Sequence, residues 1–258
     1  MRHSILGLSA LALCALAACT TGAGQTANGA DMKAAITAAL ADPARPQADK
    51  DRDAARKPGE MLEYAGIGPG KKIAEYAPGN GYFTRIFSKA VGPTGKVYAA
   101  SGPGRGGAAP AVAAIAADAA YGGNIVVLPL GPNATFTPAE KVDVVWTSRN
   151  YHDLGLTMGG APAKDLAAFN KSIYDILKPG GIYIVLDHSA GTTAGPEASE
   201  KLHRINPNIV KTQVEAAGFK LVGENDTLKN PADNHNERVF EQDIRDHTDQ
   251  FILKFRKP

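Results

Sequence analysis

Residues 73–84, running from Ile73 and Glu75 through Pro78, Gly79, Asn80 and Gly81 to Thr84, constrain this chain more than any other stretch. They read as a short buried strand carrying an acid, a glycine turn and a helix start. Phe83, Ile86, Phe87 and Ala90 follow at i, i+3, i+4 and i+7, the spacing of one helical face. Glycines at a strand-to-helix turn let backbone approach a ligand closely, and a helix N-terminus offers free N–H groups. Such a turn predicts a nucleotide-type pocket at the carboxyl end of a parallel sheet. A dinucleotide fingerprint places a third glycine three residues after the second, and here that position is Thr84.

Strand-like and helix-like stretches alternate on either side of this turn, the pattern of a parallel α/β sheet. Strands are expected at 72–76, 96–100, 124–130, 142–147, 182–186 and 219–223, with a last one from 250 to 255. The last strand returns after a long polar excursion, 224–248, and is expected antiparallel beside the fifth. Helices are expected after Asp31, from Pro58, over 82–91 and 110–120, from Pro162, and from Pro207 with Asn206 as N-cap. The expected fold is a Rossmann-like, doubly wound, mostly parallel seven-stranded sheet formed by residues 31–258. Residues 31–70 would be a helical preamble packed beside the first strand and able to lid the pocket.

At 258 residues the chain supports one full core. Its 28 basic and 26 acidic residues form no basic runs, so a general nucleic-acid binder is not expected. The start, Arg2 and His3 before an apolar run from Ile5 to Ala18, has the form of a secretory signal over residues 1–18, too short to span a bilayer. Its end, Leu16-Ala17-Ala18-Cys19, resembles the lipobox of bacterial lipoproteins, which implies cleavage before Cys19 and lipidation of that residue. Thr20 next to it would favour the outer membrane, facing the periplasm, and residues 19–30 read as a small, polar tether. Cys14 leaves with the signal, so no intrachain disulfide and no cysteine-based metal site remain.

The motif set resembles the class I S-adenosylmethionine (SAM)-dependent methyltransferases, and more narrowly a family of secreted bacterial predicted methyltransferases. It is carried by Arg56-Lys57-Pro58, the Glu75-x-x-x-Gly79-x-Gly81 turn, Gly95-Lys96-Val97, Asn150-Tyr151-His152-Asp153, Leu177-Lys178-Pro179-Gly180-Gly181, Asp187-His188, His203-Arg204 and the ending from Phe251 to Pro258. The resemblance implies transfer of a methyl group from SAM to a small or lipid-proximal acceptor. Glu75, Pro78, Gly79, Asn80, Gly81, Ser101 and Asn150 would then bind the cofactor. The acid that such enzymes carry after the second strand is replaced by Ala99-Ala100-Ser101, leaving Ser101 and backbone groups for the ribose.

Groups at the carboxyl end of the fourth strand would sit over the methyl. Tyr151, His152 and His188 are the candidate catalytic residues, with His152 as base, because imidazole titrates near neutrality. Asp187 and His188 are neighbours on a strand and point to opposite faces, so they should not pair, and His188 is expected inward. Asp153 and Arg204 are candidates for binding the acceptor, Arg204 as a clamp on a carboxylate or phosphate. No H-x-x-x-H or H-E-x-x-H spacing is present, and no metal site is expected. A non-catalytic binding protein on the same fold, or a different enzyme on it, are the alternatives, since fold does not fix function.

Overall fold

The computed structural model describes residue 1 and residues 29–102, 108–157 and 163–258. The expected signal and tether lie almost wholly outside the described residues, and the lipidation site Cys19 wholly so; the helix expected from Pro162 instead starts at Leu166, because Asp165 caps it and residues 163–165 are not helical.

Seven strands form one sheet: β1 (Lys72–Tyr76), β2 (Lys96–Ser101), β3 (Ile125–Pro129), β4 (Val142–Ser148), β5 (Leu177–His188), β6 (Lys220–Asn225) and β7 (Gln250–Arg256). Their spatial order is β3-β2-β1-β4-β5-β7-β6. The pairs among β1 to β5 are parallel, and β7 inserts antiparallel between β5 and β6. The order reverses between β1 and β4, which opens a crevice at their carboxyl ends.

Nine helices are assigned among the described residues: α1 (Gly29–Ala41), α2 (Gln47–Lys50), α3 (Asp53–Arg56), α4 (Pro58–Ala65), α5 (Tyr82–Val91), α6 (Ala108–Ala117), α7 (Leu166–Ile176), α8 (Glu197–Leu202) and α9 (Pro207–Ala216). Asp31 lies in the first turn of α1 rather than capping it, whereas Asn206 caps α9 by accepting from the Asn208 N–H at 2.9 Å. Among the described residues no helix is long and apolar enough to cross a membrane.

Period-two alternation in the strands sorts side chains into two cores. Ile73, Trp146, Ile184 and Leu186 face α1, α4 and α5; Ala74, Tyr76, Val145, Tyr183 and Val185 face α7 and α9. Phe83 and Phe87, on the face of α5 read from spacing, lie 4.9 and 5.4 Å from the Trp146 ring and hold the helix over β4. Such pairs add about 0.5–1.5 kcal/mol each beyond area burial.

The start of β5 also differs from expectation. β5 begins at Leu177, directly after α7, and Pro179-Gly180-Gly181 sits inside it instead of before it. The pairing steps from Val142↔Leu177 to Val144↔Ile182, so the Pro-Gly-Gly segment is extra chain accommodated as a bulge.

Candidate active site

β1 ends in the turn that the sequence singled out. Gly79 and Gly81 both have positive φ, +59° and +79°, and Gly81 caps the N-terminus of α5. Its φ is what chiefly favours glycine at this position, and a Cβ on Gly81 would also stand 2.2 Å from Ile115 Cδ1, so the end of that side chain would have to shift. A Cβ on Gly79 would meet nothing within 4 Å, because this residue borders open space. Ala77 also has positive φ, +49°, a conformation that strains a non-glycine residue. It is held by its N–H to the Ala100 carbonyl at 2.9 Å and by the Asn150 amide, which donates to the Tyr76 and Ala77 carbonyls at 3.1 and 3.2 Å.

That open space is a cavity of about 430 Å³. Glu75, Pro78, Gly79, Asn80 and Asn150 border it, joined by Tyr82, Arg52, Arg56 and Arg149. Glu75 lies on the α5 side of β1, 3 % exposed, and accepts from Thr84 Oγ1 at 2.6 Å. It has no cationic partner among the described residues, and burial raises its pKa to about 8 against the opposing Thr84 bond. Arg56 is the converse. Its guanidinium lies 4.3 Å over the Tyr82 ring, its Nε has no hydrogen-bond partner, and no carboxylate pairs with it among the described residues. Burial, then the neighbouring Arg52, lowers its pKa to about 10. Arg52 pairs with Asp246, while Arg149 approaches the same carboxylate only to 3.8 Å. Arg149 itself has φ +57° and donates its N–H to the Leu186 carbonyl at 2.7 Å.

The remaining candidates are elsewhere. Ser101 is buried, does not line this cavity, and among the described residues its hydroxyl meets the Gly102 carbonyl at 3.4 Å. Tyr151 faces the α7/α9 core; its hydroxyl donates to Gln213 at 3.1 Å and accepts from Asn170 at 2.8 Å. Its hydroxyl is therefore committed to the core instead of a ligand. Arg204 is fully buried, with two bonds to Asp233 at 2.8 and 3.1 Å and others to the Ser189 and Glu237 carbonyls. It clamps the polar excursion onto β5 and offers no free fork to an acceptor.

His152 and Asp153 stand in a 3₁₀ turn, His152–Gly155, beyond β4. Asp187, not His188, meets His152: Oδ1 lies 2.8 Å from Nδ1, and Oδ2 accepts the His152 N–H at 2.9 Å. The inward His188 expected from strand alternation is instead bonded to Thr248 Oγ1 at 2.7 Å, and burial depresses its pKa. For His152 burial opposes charge, but Asp187 and Asp153 outweigh it and raise its pKa to about 10. None of His152, Asp153, Asp187 and His188 borders the Glu75 cavity.

Arg52, Arg56 and Arg149 are not among the site residues expected from sequence, although Arg56 belongs to the Arg56-Lys57-Pro58 motif and Arg149 adjoins Asn150 at the end of β4. The charged segment before Pro58 was visible, but nothing in its spacing said which cations turn toward the glycine turn.

Comparison with solved structures decides the architecture. A SAM-dependent methyltransferase from Aquifex aeolicus superposes with a TM-score of 0.59 at 17 % identity, covering 90 % of this chain and all of that one. A Mesorhizobium loti SAM-dependent methyltransferase gives 0.53 at 15 %, over 78 % of this chain and 97 % of its own. The chain has the class I methyltransferase fold. Chains of this fold differ in reaction, for the [4+2]-cyclase SpnF superposes at 0.58 with 16 % identity, over 88 % of this chain and 93 % of its own. No family model matches the chain. In sequence it is 26 % identical over 197 residues to the ubiquinone/menaquinone biosynthesis C-methyltransferase UbiE of Pseudomonas aeruginosa, a match spanning 75 % of this chain and 65 % of that relative. The UbiE of Saccharophagus degradans is 29 % identical, over 75 % of this chain and 67 % of its own.

Proposed function

We propose that this protein is a SAM-dependent methyltransferase acting on a small acidic acceptor. The observation that carries the reading is the pairing of opposites around one cavity: Glu75 lacks a cation and Arg56 lacks an anion. The methionine end of SAM is a zwitterion that supplies both. Its ammonium suits Glu75 and its carboxylate suits Arg56, each a charge-assisted bond in a partly desolvated site. Gly79 leaves room for backbone contact. SAM would supply the electrophilic methyl, and the similarity to the UbiE C-methyltransferases supports methyl transfer.

The protein's own part in such a transfer is alignment and electrostatics. Asn150 fixes the strained Ala77 turn, keeping the cavity floor in place. Arg149 and Arg52, sharing the single Asp246 carboxylate, leave an excess of positive charge at the β4 end of the cavity. An acceptor whose hydroxyl or activated carbon must lose a proton would be favoured there as its anion. The proposed location, a lipid-anchored site in the bacterial envelope, rests on residues 1–19 alone; loss of fatty-acid labelling in Cys19→Ser tests it.

Calorimetric titration of the protein with SAM and S-adenosylhomocysteine tests the cofactor. Micromolar binding, weakened at least about tenfold in Glu75→Gln and in Arg56→Met, is expected. No heat at millimolar ligand would overturn the methyltransferase reading in favour of a binding protein on this fold.

A further inference from the structure

We propose that His152 Nε2, Asp153 Oδ1 and His203 Nδ1 form a binding site for one divalent transition-metal ion, with Zn²⁺ the best match. The site is separate from the Glu75 cavity, and the inference does not depend on methyl transfer.

Two elements build it. The turn after β4 supplies His152 and Asp153, and the residue closing α8 supplies His203, whose φ of +55° is a strained left-handed conformation. Asp153 Oδ1 lies 3.2 Å from His152 Nε2 and 3.3 Å from His203 Nδ1, and the three ligand atoms lie within 4.8 Å of one another. Four ligands held tetrahedrally at about 2.1 Å from Zn²⁺ are about 3.4 Å apart, so the two short separations match neighbouring ligands. Asp153 Oδ1 is buried and within ion-pair distance of both rings, though aligned for a hydrogen bond with neither. Two imidazole nitrogens and a carboxylate oxygen converging in this way are a donor set for zinc or ferrous iron.

Asp187 supports the assignment. Its two oxygens already accept the His188 N–H at 2.7 Å and the His152 N–H at 2.9 Å, and Oδ1 also meets His152 Nδ1. A carboxylate so used is an acceptor, so Nδ1 keeps its hydrogen, and Nε2, which faces Asp153, is the nitrogen that binds a metal by giving up its proton. This carboxylate–histidine arrangement orients ligands in known metal sites. Two carboxylates, Asp153 and Asp187, balance a doubly charged ion. The side chains of Asp153 and His203 are 34 % and 16 % exposed, and His203 packs against the exposed Phe240, so an ion can enter from solvent and keep an open position.

The test uses tag-free protein stripped with chelator and titrated with Zn²⁺, with Co²⁺ as spectroscopic probe. One equivalent of Zn²⁺ at micromolar affinity or tighter is expected, and Co²⁺ should give visible absorption from a low-symmetry site. Asp153→Asn and His203→Ala should each weaken uptake at least about 100-fold, Asp187→Asn about 10–100-fold, and the exposed His247→Ala not at all. Circular dichroism and melting of each metal-free variant separate lost ligation from lost fold. No stoichiometric uptake, or uptake unchanged in folded Asp153→Asn and His203→Ala, would overturn the proposal.

Discussion

Thr84 reaches back across the glycine turn and donates its hydroxyl to Glu75 at 2.6 Å, both side chains being buried. The residue that replaces the third glycine of a dinucleotide fingerprint is therefore a partner of the carboxylate that β1 contributes to the cavity wall. Its bond favours the ionised form of a group that burial pushes the other way.

Removing that bond should show most where Glu75 is charged. Thr84→Val keeps volume but leaves a carboxylate oxygen unsatisfied, a loss of about 1–3 kcal/mol. Denaturant unfolding should find the deficit larger at pH 9 than at pH 6, and equal losses would discount the bond.

Glu75 itself should make the ligand-free protein less stable as pH rises. Its folded pKa, about 8, exceeds the unfolded one, so the folded state holds a proton that the unfolded state has released between roughly pH 4.3 and 8. Stability contributed by the neutral form is present at low pH and lost across that window. Glu75→Gln should flatten this slope and raise stability at pH 9 by about 1–3 kcal/mol, while weakening SAM binding. A variant that is less stable than wild type at pH 9 would contradict this.

Binding carries the same linkage with the opposite benefit. Below about pH 8, seating the SAM ammonium against Glu75 must expel a proton, so affinity should fall by up to about tenfold per pH unit on acidification. Calorimetry in two buffers of different ionisation heat counts that proton, and Glu75→Gln should release none.

Gly81→Ala should cost about 2–4 kcal/mol, from the strain of φ +79° and the collision with Ile115. Gly79→Ala has strain but no collision and should cost less. Thermal melting of the two distinguishes packing from backbone effects, and a reversed order would be inconsistent with this turn.

Arg204→Met should destabilise by about 3–5 kcal/mol, since it abandons the buried Asp233 carboxylate. Kinetic constants of the surviving folded protein in the proposed methyl transfer should be little changed. A selective rise in acceptor KM would instead return Arg204 to the binding role expected from sequence.

Local chemistry was legible where it is written in consecutive residues. The apolar face of α5, the Asn206-Pro207 start of α9, the glycine turn and the alternation of strands all arise from backbone geometry and burial within a few residues, and they determined the fold. Glu75, Pro78, Gly79, Asn80 and Asn150 reached the cavity because strand ends at a switch point converge there whatever the surrounding loops do. Side-chain direction at long range was not legible. Whether Tyr151 turns to a ligand or to Asn170 depends on α7, nineteen residues on. Whether Arg56 faces the cavity depends on how α3 lies against Tyr82. Period-two alternation correctly separated Asp187 from His188, yet only the tertiary structure brought Asp187 to His152, thirty-five residues away. His203 comes to Asp153 from still farther, on a different element. A sequence specifies such meetings only through the packing of the whole core, which fixes where each element ends and which way its last side chain points.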